Sequence, residues 1–63
     1  MKSAISETTR KLWYRVNEKY GPRVYFLGED ALGRVVLCKC YTEDIAVGTN
    51  REVQKALRQL LAD

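Results

Sequence analysis

Residues 23–42 read Arg23-Val24-Tyr25-Phe26-Leu27-Gly28, then Glu29-Asp30-Ala31-Leu32-Gly33, then Arg34-Val35-Val36-Leu37-Cys38-Lys39-Cys40-Tyr41-Thr42. Two runs rich in β-branched and aromatic residues, 23–28 and 34–42, flank a segment in which Asp30 can start a turn and Gly33 can take positive φ. The pattern predicts a β-hairpin with a five-residue loop, 29–33. In that register Phe26 faces Val36 and Val24 faces Cys38. Strand alternation then sorts the side chains into two sets. Val24, Phe26, Val36, Cys38 and Cys40 share one face and carry no charge. Arg23, Tyr25, Leu27, Val35, Leu37, Lys39 and Tyr41 share the other. A loop longer or shorter by one would set Lys39 among the apolar residues and cost the desolvation of an ammonium group. The uncharged set is therefore expected to form the core. The second face is expected to stay open, an interface made by Tyr25, Leu27, Leu37, Lys39 and Tyr41 for a protein partner or a second copy in a homodimer. The alternative is that the helices divide between the two faces, or that a terminus folds over the patch.

Outward from the hairpin, a short third strand is predicted over 44–48 after a tight turn at Thr42-Glu43-Asp44, with Ile45 and Val47 on one face. On the N-terminal side, Ile5, Thr9, Leu12, Trp13, Val16 and Tyr20 recur with a helical period and predict an amphipathic helix over about 6–20. Gly21-Pro22 ends it, because Gly accepts positive φ and Pro cannot continue the hydrogen-bond ladder. On the C-terminal side, Thr49 and Glu52 have capping-box spacing. Val53, Ala56, Leu57, Leu60 and Leu61 then follow one helical stripe, predicting a helix over about 50–61. The fold class is α+β, in the order α-β-β-β-α. It is a three-stranded antiparallel meander with both helices packed on one face of the sheet, a single domain over 1–63.

Composition narrows the function. The 63 residues contain no histidine, which removes the usual general base and the commonest metal ligand. No glycine-rich phosphate loop or serine nucleophile motif is present, so the expectation is a non-catalytic binding domain with no cofactor and no metal. Cys38 and Cys40, two apart on one strand, cannot close a useful loop. They read as free thiols filling space, with a four-cysteine site shared by two chains as the other option. Free thiols and the lack of an apolar run of about 18 residues suit a cytoplasmic protein away from membranes. The acidic pairs Glu29-Asp30 and Glu43-Asp44 fall in predicted turns and serve turn geometry.

Eleven Lys and Arg against eight Asp and Glu give a net charge of +3, a mild bias toward anionic partners. The cations are arranged. Lys11, Arg15 and Lys19 recur at i, i+4, i+8 on the first helix, and Arg51, Lys55 and Arg58 lie opposite the leucines of the last. Arg51 and Lys55 stand in the first turns, where free N–H groups favour phosphate. Tyr14, opposite the buried stripe, is placed to stack on a base or anchor a protein. These seven residues form the predicted nucleic-acid surface, for RNA or DNA, with Tyr25 as a further stacking residue. The second reading is a protein-interaction module, a small regulator or inhibitor of the kind mobile elements carry, acting through the open sheet face or an edge strand.

The α-β-β-β-α order, the Lys19-Tyr20-Gly21-Pro22 exit into Val24-Tyr25, and Gly48-Thr49-Asn50-Arg51-Glu52-Val53 opening the last helix resemble a double-stranded-RNA-binding domain. In that family the last helix opens with a small hydroxyl residue, two lysines, Glu and Ala. The matching positions here are Thr49, Asn50, Arg51, Glu52 and Val53. Asn50 stands where one lysine would be, and Ala31-Leu32-Gly33-Arg34 stands where the family has a Gly-Pro-x-His loop. The resemblance implies the fold and an RNA contact at the start of the last helix. The toxin family that shares this compact fold uses a catalytic histidine, which this chain lacks.

Overall fold

The computed structural model describes residues 4–63. Its elements are α1 (Glu7–Tyr20), β1 (Tyr25–Glu29), β2 (Val35–Lys39), β3 (Glu43–Gly48) and α2 (Asn50–Ala62). The strands form one antiparallel sheet in the order β1-β2-β3. Two helices and a meander of this length can bury their apolar stripes only against each other and the sheet, and they do so on one face.

Local chemistry sets the boundaries. Ser6 caps α1 by accepting from the Thr9 N–H at 3.2 Å, and Gly21 ends it at φ +104°, its N–H donating to the Asn17 carbonyl. Asp30 and Gly33 build the first loop as read from sequence. The Gly33 N–H donates to the Asp30 carbonyl at 3.0 Å, and Gly33 sits at φ +78°. Asp30 Oδ1 also accepts from the backbone N–H groups of Arg34 (2.8 Å) and Leu32 (3.0 Å). The Arg34 backbone N–H and the guanidinium beside it hold the Asp30 carboxyl below the usual carboxylate range.

Thr49 caps α2 through the Glu52 N–H at 3.3 Å. Gly48 precedes it at φ +153°, and a Cβ there would run into the Glu52 carboxylate. Gly48→Ala is therefore expected to lower stability by about 1–2 kcal/mol, as strained backbone and a displaced cap would. A denaturant midpoint equal to the parent's would show that Glu52 swings aside without cost.

Three expectations need correction. First, β1 and β2 pair Phe26 with Cys38 and Gly28 with Val36, a shift of two residues from the predicted register. The shift keeps the alternation within the paired strands but not the full sets, because Tyr41 stacks on Phe26 and Val24 packs against the core. Second, the face that is covered is the other one. Tyr25, Val35 and Leu37 are buried under the helices with Val16, Val53 and Leu57, and Leu27 packs against them. Phe26, Val36 and Cys38 face outward, half-buried. Tyr25, Leu27 and Leu37 therefore do not form an open interface, while Lys39 and Tyr41 are exposed. The reason is volume and position. Gly28 falls on the uncharged face and leaves it little carbon to bury, whereas its opposite carries Tyr25, Leu27 and Leu37. Lys39 ends β2, where a long side chain reaches water from the rim at little cost.

Third, the β2–β3 turn comes earlier than predicted. Cys40 and Tyr41 both take positive φ, 53° and 63°, and the Thr42 N–H donates to the Lys39 carbonyl at 3.1 Å. Both central residues thus have the sign of φ required by a type I′ hairpin turn, where Asn-Gly is usual. β3 begins at Glu43, and a bulge opposite Leu37/Cys38 leaves Ile45 without a partner on β2. Val47 pairs with Val36 on the open face, and Ala46 pairs with Leu37 on the covered one.

Candidate nucleic-acid interface

The two helices run parallel. At one end Asn50 Oδ1 accepts from the Ser6 N–H and the Thr9 hydroxyl, both at 2.8 Å, and its amide donates to the Ala4 carbonyl at 2.7 Å. Gln54 Nε2 donates to Thr9 Oγ1 at 2.9 Å. Thr9, wholly buried, is thereby satisfied inside the helix pair. At the other end Lys19 Nζ donates to the Leu60 and Leu61 carbonyls at 3.0 and 3.2 Å, and the Tyr20 hydroxyl donates to the Leu60 carbonyl at 2.8 Å. Lys19 thus closes the C-terminal end of α2, where orphan carbonyls favour a cation. Its ammonium is committed there.

These contacts fix where the other cations lie. Arg15, one turn before Lys19, lies on the same flank of α1, whereas Lys11, at about 100° per residue two positions on from the α2-facing Thr9, stands on the outer side of the helix. Arg58 is four residues on from Gln54, and Arg51 follows Asn50, so both lie beside the α1-facing side of α2, with Lys55 next outward. Exposed Arg15 on one side and exposed Arg51 and Arg58 on the other therefore flank the crevice between the helices, whose axes in such a packing lie about 8–10 Å apart, with Lys11 and Lys55 farther out on the helix surfaces. Lys11 pairs loosely with Glu7 at 3.5 Å, both side chains being largely solvated, which adds little. Arg15, Arg51, Lys55 and Arg58 have no carboxylate partner among the described residues.

Charge is segregated across the molecule. The helices carry seven Lys and Arg against three Glu, a net +4. The remaining described residues carry three Lys and Arg against five Asp and Glu, a net −2. Neither count could be assigned to a side before the packing was known.

The predicted aromatic residues do not border the crevice. Tyr14 is exposed, but it follows Trp13, whose indole N–H donates to the Tyr25 carbonyl at 3.0 Å, on the β1 flank of α1. Tyr25 is 6% exposed, its ring edge-on to Tyr20, and cannot stack on a base. Sequence reasoning missed Asn50 and Gln54, which hold the crevice together. The only available signal was that both are polar residues within the α1-facing stripe of α2. Among the described residues no three His, Cys, Asp or Glu lie close enough to hold a metal ion, and no helix is long and apolar enough to cross a membrane.

No family model matches the chain, and neither the curated proteins nor the solved structures give a significant match. The α-β-β-β-α order on a three-stranded antiparallel sheet is consistent with the double-stranded-RNA-binding-domain-like topology.

Proposed function

We propose that this domain binds nucleic acid through the crevice between α1 and α2, with Lys11, Arg15, Arg51, Lys55 and Arg58 on backbone phosphates. The observation that carries the reading is the grouping of cations on the two helices, held side by side by the Asn50 and Lys19 contacts, of which Arg15, Arg51, Lys55 and Arg58 have no carboxylate partner among the described residues. Such an array neutralises phosphates and reads no base directly. The resemblance to double-stranded-RNA-binding domains supports the same surface, since it too places the contact at the start of α2. No exposed aromatic borders the crevice, so affinity rests on the backbone term rather than on base stacking.

Fluorescence anisotropy with labelled RNA and DNA, as duplex and single strand, tests this. A site covering about four or five phosphates should lose on the order of 10²-fold in affinity between 50 and 200 mM salt. Arg51→Ala with Arg58→Ala should flatten the log–log salt slope by roughly two. Absence of binding to all four probes at 50 mM salt, or a slope unchanged in the double variant, overturns the proposal. A second reading, a protein-contact module, is favoured by one observation, the apolar open face of the sheet.

A further inference from the structure

The face of the sheet turned away from the helices carries Phe26, Val36, Cys38 and Val47, all half-buried in the isolated chain. Gly28 makes a flat place among them, with open space where a Cβ would stand. Tyr41 lies over Phe26, ring centroids 4.0 Å apart and planes 20° apart, yet remains 78% exposed. Its position is maintained against backbone preference. Cys40 and Tyr41 in consecutive left-handed conformations cost on the order of 1–2 kcal/mol each. A hairpin that keeps such a pair instead of Asn-Gly holds an aromatic ring out over an already apolar face. Only one charged residue belongs to that face within the strands, Asp44, whose Cα pairs with that of Cys38.

We propose that this face seats a second copy of the chain, in a two-fold dimer whose axis lies between the sheets and crosses the strands. Two sheets packed face to face sit about 10 Å apart with their inner side chains interleaved. With the axis across the strands, the β2–β3 turn of one copy meets the β1–β2 loop of the other. Asp44 then comes within reach of Arg34 in the partner copy. Arg34 uses only its Nε toward Asp30, at 2.6 Å, and its side chain is half exposed, so the outer guanidinium nitrogens are free to donate. With the axis along the strands, Asp44 would lie over the Phe26–Tyr41 rings of the partner and be desolvated without a cation, which is costly. Charge complementarity thus selects one two-fold arrangement.

The contact is small. Three strands of five or six residues, about 4.8 Å apart and rising about 3.4 Å per residue, present roughly 300 Å² of face. With the two loops added, the pair falls near the lower bound of about 1,000 Å² in total for a specific interface. The dimer is accordingly expected to form in the micromolar range. It leaves both cationic crevices outward, on opposite sides of the assembly, and it does not depend on their ligand.

Sedimentation equilibrium of the full chain, without nucleic acid and with reductant present, tests the proposal from about 5 to 500 µM. The expected result is a concentration-dependent monomer–dimer transition in the parent chain. Val36→Asp places a carboxylate at the centre of the outward face and should shift dissociation at least tenfold, with unchanged far-ultraviolet circular dichroism. Asp44→Lys should weaken the dimer in the same direction. A parent chain that stays monomeric at 500 µM, or a dimer that survives Val36→Asp with the spectrum of the parent, overturns it. Nucleic-acid affinity of monomeric Val36→Asp, read by anisotropy, reports on the crevice separately.

Discussion

Leu37→Asp is expected to unfold the chain. Leu37 lies at the middle of the central strand, wholly buried, among Val16, Val35, Val53 and Leu57. Truncating a leucine at such a site costs about 2–5 kcal/mol through lost transfer energy and the cavity left behind. Aspartate adds the burial of a carboxylate, for which this core, whose buried members are Tyr25 and five aliphatic residues, offers no cation. A domain of this length has roughly 3–9 kcal/mol in all. Far-ultraviolet circular dichroism and one-dimensional proton NMR should show a disordered chain at 25 °C. A folded Leu37→Asp would mean that the other sheet face is the covered one. The companion Val36→Asp, one residue away on the outward side, should keep the native spectrum. The contrast between neighbours assigns the two faces independently of any partner.

Asn50→Ala is expected to have the next largest effect, about 2–4 kcal/mol. The single side chain accepts from the Ser6 N–H and Thr9 hydroxyl and donates to the Ala4 carbonyl. Its loss strands three part-buried polar groups, each costing about 1–3 kcal/mol when water cannot fully replace the partner. The Thr9 hydroxyl can still donate to Ser6 Oγ, 2.9 Å away, which keeps the sum below the upper bound. The loss should appear as a lowered denaturant midpoint, with early hydrogen exchange confined to the first turns of α1. Asn50→Lys, which restores the residue type of the resembling family, should cost a similar amount, because an ammonium cannot accept either bond. A midpoint within about 0.5 kcal/mol of the parent, the scatter of an ordinary surface change, would remove Asn50 from this role.

Much of the backbone was readable because its signals are local. Thr49 with Glu52, Gly21 before Pro22, and Asp30 with Gly33 each fix φ or a hydrogen bond within four residues, and each acts in the structure as its chemistry requires. The side of the sheet that takes the helices was not readable from charge alone. Lys39 read as a strand residue marks an outward face, yet at the end of β2 it reaches water from either side. Gly28, which reduces the carbon available on its own face, was the better indicator. The Cys40–Tyr41 turn was hidden because neither residue type announces positive φ, and what holds the turn includes the ring of Phe26 on another strand.

The predicted binding surface divides along the same line. Helical spacing correctly grouped Lys11 with Arg15 and Arg51 with Lys55, because i, i+4 neighbours follow from the helix itself. It could not show that the two helices lie side by side, which depends on contacts such as Thr9 to Asn50 and Lys19 to Leu60, each 41 residues apart in sequence. Nor could it show that Lys19 serves as a structural cap. Its α2-carbonyl contacts exist only once the helices are docked in parallel.

The separation of net +4 on the helices from net −2 elsewhere has a kinetic consequence. A small body with this polarity experiences a torque in the field of any extended anionic surface, and rotates helix-first before touching it. Fewer collisions are wasted on wrong orientations, so capture becomes faster as the electrolyte is diluted, while escape is governed by the short-range contacts.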